Sequence, residues 1–230
     1  MGICVLRRVA ALGERLVLAP ERYHPGRRVE LVARRCLSDY VECVTETVSA
    51  KSWRSSSTLL ILDTTHAYEG FVLCRHDPVA AHEMGSNKRQ VQPGDVIVSR
   101  LRPYLRQVAV VDEALFRLAP RGNAVVVSTE FFVLRGRVGF EAAGLVPFLL
   151  SEPVQAALRA GQEGGHHPRF GRDLLLSLPV PEGVARSQRQ TAQRIRGLAA
   201  ALRRSSAAFR LLVAQVEAEM GGRAPPDTGM

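Results

Sequence analysis

The apolar positions of this chain follow two different patterns, and the change between them divides it. From Thr58 onward they come in short, nearly unbroken runs rather than in alternation. TLLILDT (58–64) reads as a buried strand from its leucines and β-branched residues, and AYEGFVLCR (67–75) as a second strand beyond a turn at Glu69-Gly70. A polar connection, HDPVAAHEMGSNKRQVQPGD (76–95), ends in the turn signal Pro93-Gly94. DVIVSRLRPYLRQVAVV (95–111) continues the strand pattern, with Pro103 marking an edge, bend or bulge. NAVVVSTEFFVLRG (123–136) reads as a strand pair or one kinked strand. The first fifty residues are less regular: VLRRVAALGERLVLAP (5–20) is helix-like, Pro25 and Gly26 break it, and residues 29–48 fit a helix or two short strands.

Past residue 140 the period lengthens. GLVPFLLSEPVQAALRAG (144–161) predicts one or two short helices, with Ser151-Glu152-Pro153 as cap and first turn. A glycine-punctuated loop, GQEGGHHPRFGR (161–172), leads to a Pro-rich exit. From Arg186 to about Met220 there is no proline, and Ile195, Leu202, Phe209 and Val216 recur every seven residues with Leu198 and Leu212 between them. A seven-residue repeat predicts a coiled-coil seam, so these six residues are the expected dimerisation contacts. At 1.5 Å per residue the helix would run roughly 50 Å, longer than its own domain can cover. Arg189, Arg196, Arg203 and Arg210 form a second seven-residue series beside the seam, readable as a solvated face or as a rail for phosphates or an acidic partner. The expected architecture is α+β. A mixed, mostly antiparallel β-rich globular domain (1–183) precedes the long helix (184–220), and the tail (221–230) is expected to be disordered.

Charge sharpens the picture. Lys plus Arg number 31 against 22 Asp plus Glu, a formal +9, which favours a polyanionic partner and nucleic acid first among them. Arg outnumbers Lys heavily, so part of this excess is also what an Arg-rich composition would produce. In DVIVSRLRPYLRQVAVV, a continuous strand would aim Arg100, Arg102, Tyr104 and Arg106 to one face. The other reading of Arg100 and Arg102 is structural: they would order the chain through carboxylates such as Asp63, Asp95 or Glu130. Cysteines at 4, 36, 43 and 74 make no CxxC pair, and the histidines make no HxxxH pair, so neither a disulfide framework nor a metal site is expected. No segment reads as a secretion signal or a membrane span, and the expected location is the cytoplasm.

GDVIVSRLRPYL (94–105), VSTEFFVLRG (127–136) and GQEGGHHPRFGRDLLLSLPVP (161–181), followed by a heptad helix, resemble in this order one half of a type I restriction–modification specificity subunit. The resemblance covers roughly residues 58–220. It implies a target-recognition domain that reads one half of a bipartite double-stranded DNA site. It also implies a long helix that joins this domain to its counterpart, no catalytic residues, no cofactor, and partner subunits that methylate or cleave. With one half in this chain, it further implies a homodimer or a paralogue pair whose site is a spaced palindrome. The helix opening PEGVARSQRQ is basic where the family is acidic and Gln-rich, which puts contact with the standard methyltransferase in doubt.

Beside the resemblance, side-chain chemistry nominates Asn87, Lys88, Arg89 and Gln90 of the GSNKRQ loop, Arg100, Arg102, Tyr104 and Arg106, and His166, His167, Arg169 and Arg172 of the HHPRFGR loop. Arg suits guanine and phosphate, Asn and Gln suit adenine. Two rivals stand beside this reading. One is a coiled-coil adaptor that does not read DNA; the other is a metal-dependent nuclease built on Asp63, His66, His76 and Asp95.

Overall fold

The strands over 58–62, 96–99, 108–110, 124–128 and 131–136 are buried on both faces, which is why their apolar runs are unbroken. The structure is a computed structural model that describes residues 33–54, 56–74, 77–118, 124–164 and 167–220. His166, His76, the tail 221–230 and the helix-like stretch 5–20 lie outside the described residues.

In chain order the first strands are β1 (Val41–Val44), β2 (Thr58–Leu62), β3 (Val79–Ala80), β4 (Lys88–Gln90), β5 (Val96–Ser99) and β6 (Val108–Val110). After α1 (Glu113–Leu118) come β7 (Ala124–Ser128) and β8 (Phe131–Gly136). Then follow α2 (Val146–Leu150), α3 (Glu152–Ala160), β9 (Gln162–Glu163), β10 (Arg169–Phe170), α4 (Arg172–Leu176) and α5 (Glu182–Met220).

One sheet is antiparallel in the order β1-β8-β5-β6, and a second, mixed sheet runs β3-β2-β7-β4 with β2 and β7 parallel. Strand parity sorts the side chains into layers. Val96, Val98, Val108, Val110, Phe132 and Leu134 face the helices, while Ile97, Ala109, Phe131 and Val133 face the second sheet. Across that gap Leu60, Leu62, Val125 and Val127 complete the inter-sheet core, and Leu59 and Val126 pack outward on Ala81 and Met84. The α+β architecture with a long final helix therefore stands as expected.

Three local readings change. The stretch 95–111 is a hairpin rather than a strand: β5 ends at Ser99 and a 3-10 turn spans Pro103–Leu105. Arg102 and Arg106 flank that turn with φ of 50° and 51°, so the four nominated side chains do not share one strand face. Among its described residues, AYEGFVLCR forms isolated bridges rather than a strand, Ala67 to Val72 and Gly70 to Ala109. NAVVVSTEFFVLRG holds two strands, β7 and β8, but they do not pair with each other, because Thr129 and Glu130 carry the chain from the second sheet into the first. The expected helical turn at Ser151 is present, with the Ser151 hydroxyl donating to the Phe148 carbonyl at 2.6 Å and Pro153 in the first turn of α3.

The footprint of α5 on the body runs from Val184 to Arg203. Gln188, Ala192 and Ala199 are buried and Ile195 is half-buried against the same core. Gly144 makes this possible, since a Cβ there would sit 2.2 Å from the Gln188 carbonyl oxygen. The Gln188 side chain accepts the Glu141 backbone N–H at 2.8 Å.

Candidate nucleic-acid interface

Glu130 sits at the crossover between the sheets, and three cationic segments meet around it. Arg169 grips its carboxylate with two nitrogens, at 2.9 and 3.1 Å, and Arg100 Nε donates to it at 3.0 Å. These bonds follow from backbone pairing. The Arg100 N–H donates to the Glu130 carbonyl, the Phe170 N–H to the Arg100 carbonyl, and the Arg102 N–H to the Pro168 carbonyl, at 2.9, 3.2 and 2.9 Å. Residues 100–102 thus run beside 168–170, which lays this segment along the start of the turn. Arg102 Nη2 lies 3.2 Å from His167 Nδ1.

The third segment arrives on β4. Arg89 Nη1 donates to the carbonyls of Thr129 and Phe131 at 2.8 and 2.9 Å, pinning the crossover from the other side. Burial lowers the Arg89 pKa, and burial raises that of the neighbouring Cys43 thiol. Lys88 and Gln90 project to the opposite face of β4 from Arg89. Lys88 Nζ donates to Ser86 Oγ at 2.8 Å, and Asn87 and Gln90 are exposed. Arg172, half-exposed at the start of α4, lies 3.8 Å from Asp173.

Arg106 stands apart from this group. Its guanidinium donates to the Leu150 carbonyl at 2.7 Å and bridges Glu69 and Glu152 at 3.0 and 3.5 Å, which bolts the end of the turn to α3. The left-handed backbone at Arg102 and Arg106 costs about 1–3 kcal/mol per residue, and these fixings hold it. Between them Pro103 is buried while Tyr104 and Leu105 are exposed.

The structural reading of Arg100 as a partner of Glu130 is met, and Glu130 organises Arg169 as well. Sequence patterns did not reveal that these two arginines share one carboxylate. The spacing of 30 and 39 residues hides it. Hydrogen bonds from Arg169, then those from Arg100, hold the Glu130 carboxyl below the usual glutamate range against its desolvation. A lowered folded-state value means the stabilisation is fully present above the unfolded value, about pH 4.3, and is lost as pH falls through the folded one. Glu130→Gln is therefore expected to cost about 1.5–3 kcal/mol at neutral pH. Its melting curve should converge with that of the parent protein in acid, as read by calorimetry across pH.

Of the nuclease candidates, Asp95 is taken up by Arg135 (3.0 and 2.8 Å) and by the Gln92 N–H at 2.8 Å. The Asp63 N–H donates to His66 Nδ1 at 2.8 Å. Among the described residues no group of three or more His, Cys, Asp or Glu side chains is placed to hold a metal ion.

The arginine series on α5 divides: Arg189 and Arg210 are exposed, while Arg196 and Arg203 turn to carboxylates of the body. Arg189 reaches the Gly139 carbonyl at 3.4 Å, Arg196 pairs with Glu141 at 2.7 Å, and Arg203 pairs with Asp112. Arg210, one repeat further on, lies exposed past the body. Of the predicted seam, Ile195 belongs to the footprint on the body, while Leu198, Leu202, Phe209, Leu212 and Val216 are exposed. These five form a stripe about a quarter turn round the helix from the buried face. No helix among the described residues is long and apolar enough to cross a membrane.

No protein-family model and no curated protein sequence matches this chain. Among solved structures, it is similar to the HsdS subunit from Thermoanaerobacter tengcongensis, with a TM-score of 0.52 and 21% sequence identity. The similarity covers 80% of this chain and 45% of that one, so the chain spans less than half the length of the subunit it matches. In fold, therefore, this chain is like part of a type I restriction–modification specificity subunit.

Proposed function

We propose that this protein is a non-catalytic subunit that recognises double-stranded DNA by sequence, reading one half-site per protomer. The observation that carries this reading is the convergence of β4, the 100–106 turn and the 167–172 loop around Glu130, on a fold shared with a specificity subunit. Glu130 neutralises one charge of the Arg100–Arg169 pair and orients both guanidinium groups, leaving a net positive face. Arg102 and Arg172 flank it for phosphates, and the exposed amide of Asn87 is suited to base edges. Two such subunits would join through the exposed stripe of α5, with itself or a paralogue. In an antiparallel pair Glu217 and Glu219 of one helix approach the arginine-rich start of the other. Methyltransferase or nuclease subunits of a defence complex would then be positioned by the pair, in the cytoplasm.

Solution mass by light scattering, followed by titration with random-sequence duplex at low and moderate salt, tests this. A dimer whose affinity falls steeply with salt is expected, and Arg102→Ala with Arg172→Ala should reduce the slope of log K against log salt by about one per lost phosphate contact. A dimer without salt-dependent affinity would leave the adaptor reading in place. Incubation of DNA with Mg²⁺ or Mn²⁺ should give no cleavage.

A further inference from the structure

The turn at Pro103–Leu105 presents two apolar side chains where the protein has least reason to expose them. Tyr104 is 54% and Leu105 47% accessible, although the residues on either side are fixed: Pro103 is buried and Arg106 is bound to Glu69, Glu152 and the Leu150 carbonyl. Both flanking arginines adopt the left-handed conformation that glycine would take without strain. The chain keeps arginine at both places, and Arg102 hands its N–H to Pro168. What results is a rigid tip whose exposed surface is one aromatic ring and one branched aliphatic group.

We propose that Tyr104 and Leu105 act as a wedge that enters a base step of duplex DNA, a role that rests on the DNA-binding reading above. Three features select this occupant. Leucine is among the side chains that proteins drive between base pairs, and an aromatic ring stacks on any base. A tip already fixed loses little conformational freedom on insertion. The cationic charge of Arg102, and the net positive charge of Arg100 and Arg169 over Glu130, stand beside it for the phosphates on either side. The wedge adds deformability to what the protein senses, because a step that unstacks readily costs less to open.

The test compares the whole protein's affinity for a random-sequence duplex with that for the same duplex carrying a central one-nucleotide bulge. A bulge is partly unstacked beforehand, so the parent protein should bind it roughly 5- to 10-fold tighter. Tyr104→Ala and Leu105→Ser should each bring that ratio close to one while the salt slope on the intact duplex stays unchanged. Tyr104→Phe should keep the preference. Both positions are exposed, and unchanged melting of the variants verifies their folding. Salt-dependent binding with no bulge preference, or a preference that survives both substitutions, would overturn the wedge and leave DNA binding standing. Absence of salt-dependent affinity for either duplex would overturn both.

Discussion

Arg203→Ala is expected to lower the unfolding free energy by about 3–5 kcal/mol, since it leaves a buried carboxylate without its counter-charge. The two side chains are 15% and 7% exposed, and Asp112 Oδ1 also accepts the Ala114 N–H at 3.0 Å where α1 begins. At about 2–4 °C per kcal/mol for a chain of this size, the melting temperature should fall by roughly 6–20 °C. Arg203 also reaches the Val72 carbonyl at 3.5 Å, so the loss spreads to the segment that bridges toward β6. The double variant Arg203→Ala with Asp112→Asn separates charge from packing: it has the same truncation as the single variant, keeps an acceptor for the Ala114 N–H and carries no stranded charge. It should recover most of the loss in urea unfolding. Equal destabilisation of the single and double variants would mean that the guanidinium acts through packing alone.

The second large effect is expected at Gly144. A Cβ at this position falls 2.2 Å from the Gln188 carbonyl oxygen and 2.7 Å from its carbonyl and α carbons. Those atoms belong to the helix backbone, so no side-chain rotation relieves the clash and α5 must lift. Gly144→Ala and Gly144→Val should therefore cost similar amounts, about 3 kcal/mol, because the offending atom is common to both. Hydrogen exchange locates the damage. Amides from about 188 to 203 should lose protection while those of β5 and β8 keep theirs. Uniform loss throughout the sheets would contradict a local role for this contact.

The sequence disclosed those parts of the fold whose determinants are local. TLLIL, DVIV and AVVVS are unbroken apolar runs because both faces of each strand are covered, and no other element type suits runs of that length with that content. The long helix was legible from the absence of proline over 186–220 and the recurrence of Ile195, Leu202, Phe209 and Val216. The 100–106 turn was not legible, because Arg-Leu alternation imitates a strand and nothing local announces a left-handed arginine. Pro103 gave the single hint. The partners of the α5 arginines were not legible for another reason. Their acceptors, Gly139, Glu141 and Asp112, lie 50 to 91 residues away in sequence, and heptad spacing describes a helix without saying what it meets. Asp95 and Glu130 were visible as possible arginine partners, but only the packed sheets assign Arg135 to one and Arg100 with Arg169 to the other.

Beyond Arg203, α5 continues to Met220 with every residue exposed or half-exposed, a reach of about 25 Å past its last anchor on the body. Such a projection is a lever arm. A rotation of about 10° at the footprint moves its far end by about 4 Å, most of the pitch of one helical turn. Angular precision near Gly144, Gln188 and Asp112 therefore becomes positional precision at Phe209, Leu212 and Val216. The small residues Gly144, Ala192 and Ala199, which hold the helix close to the body, set the aim of a surface that none of them touches.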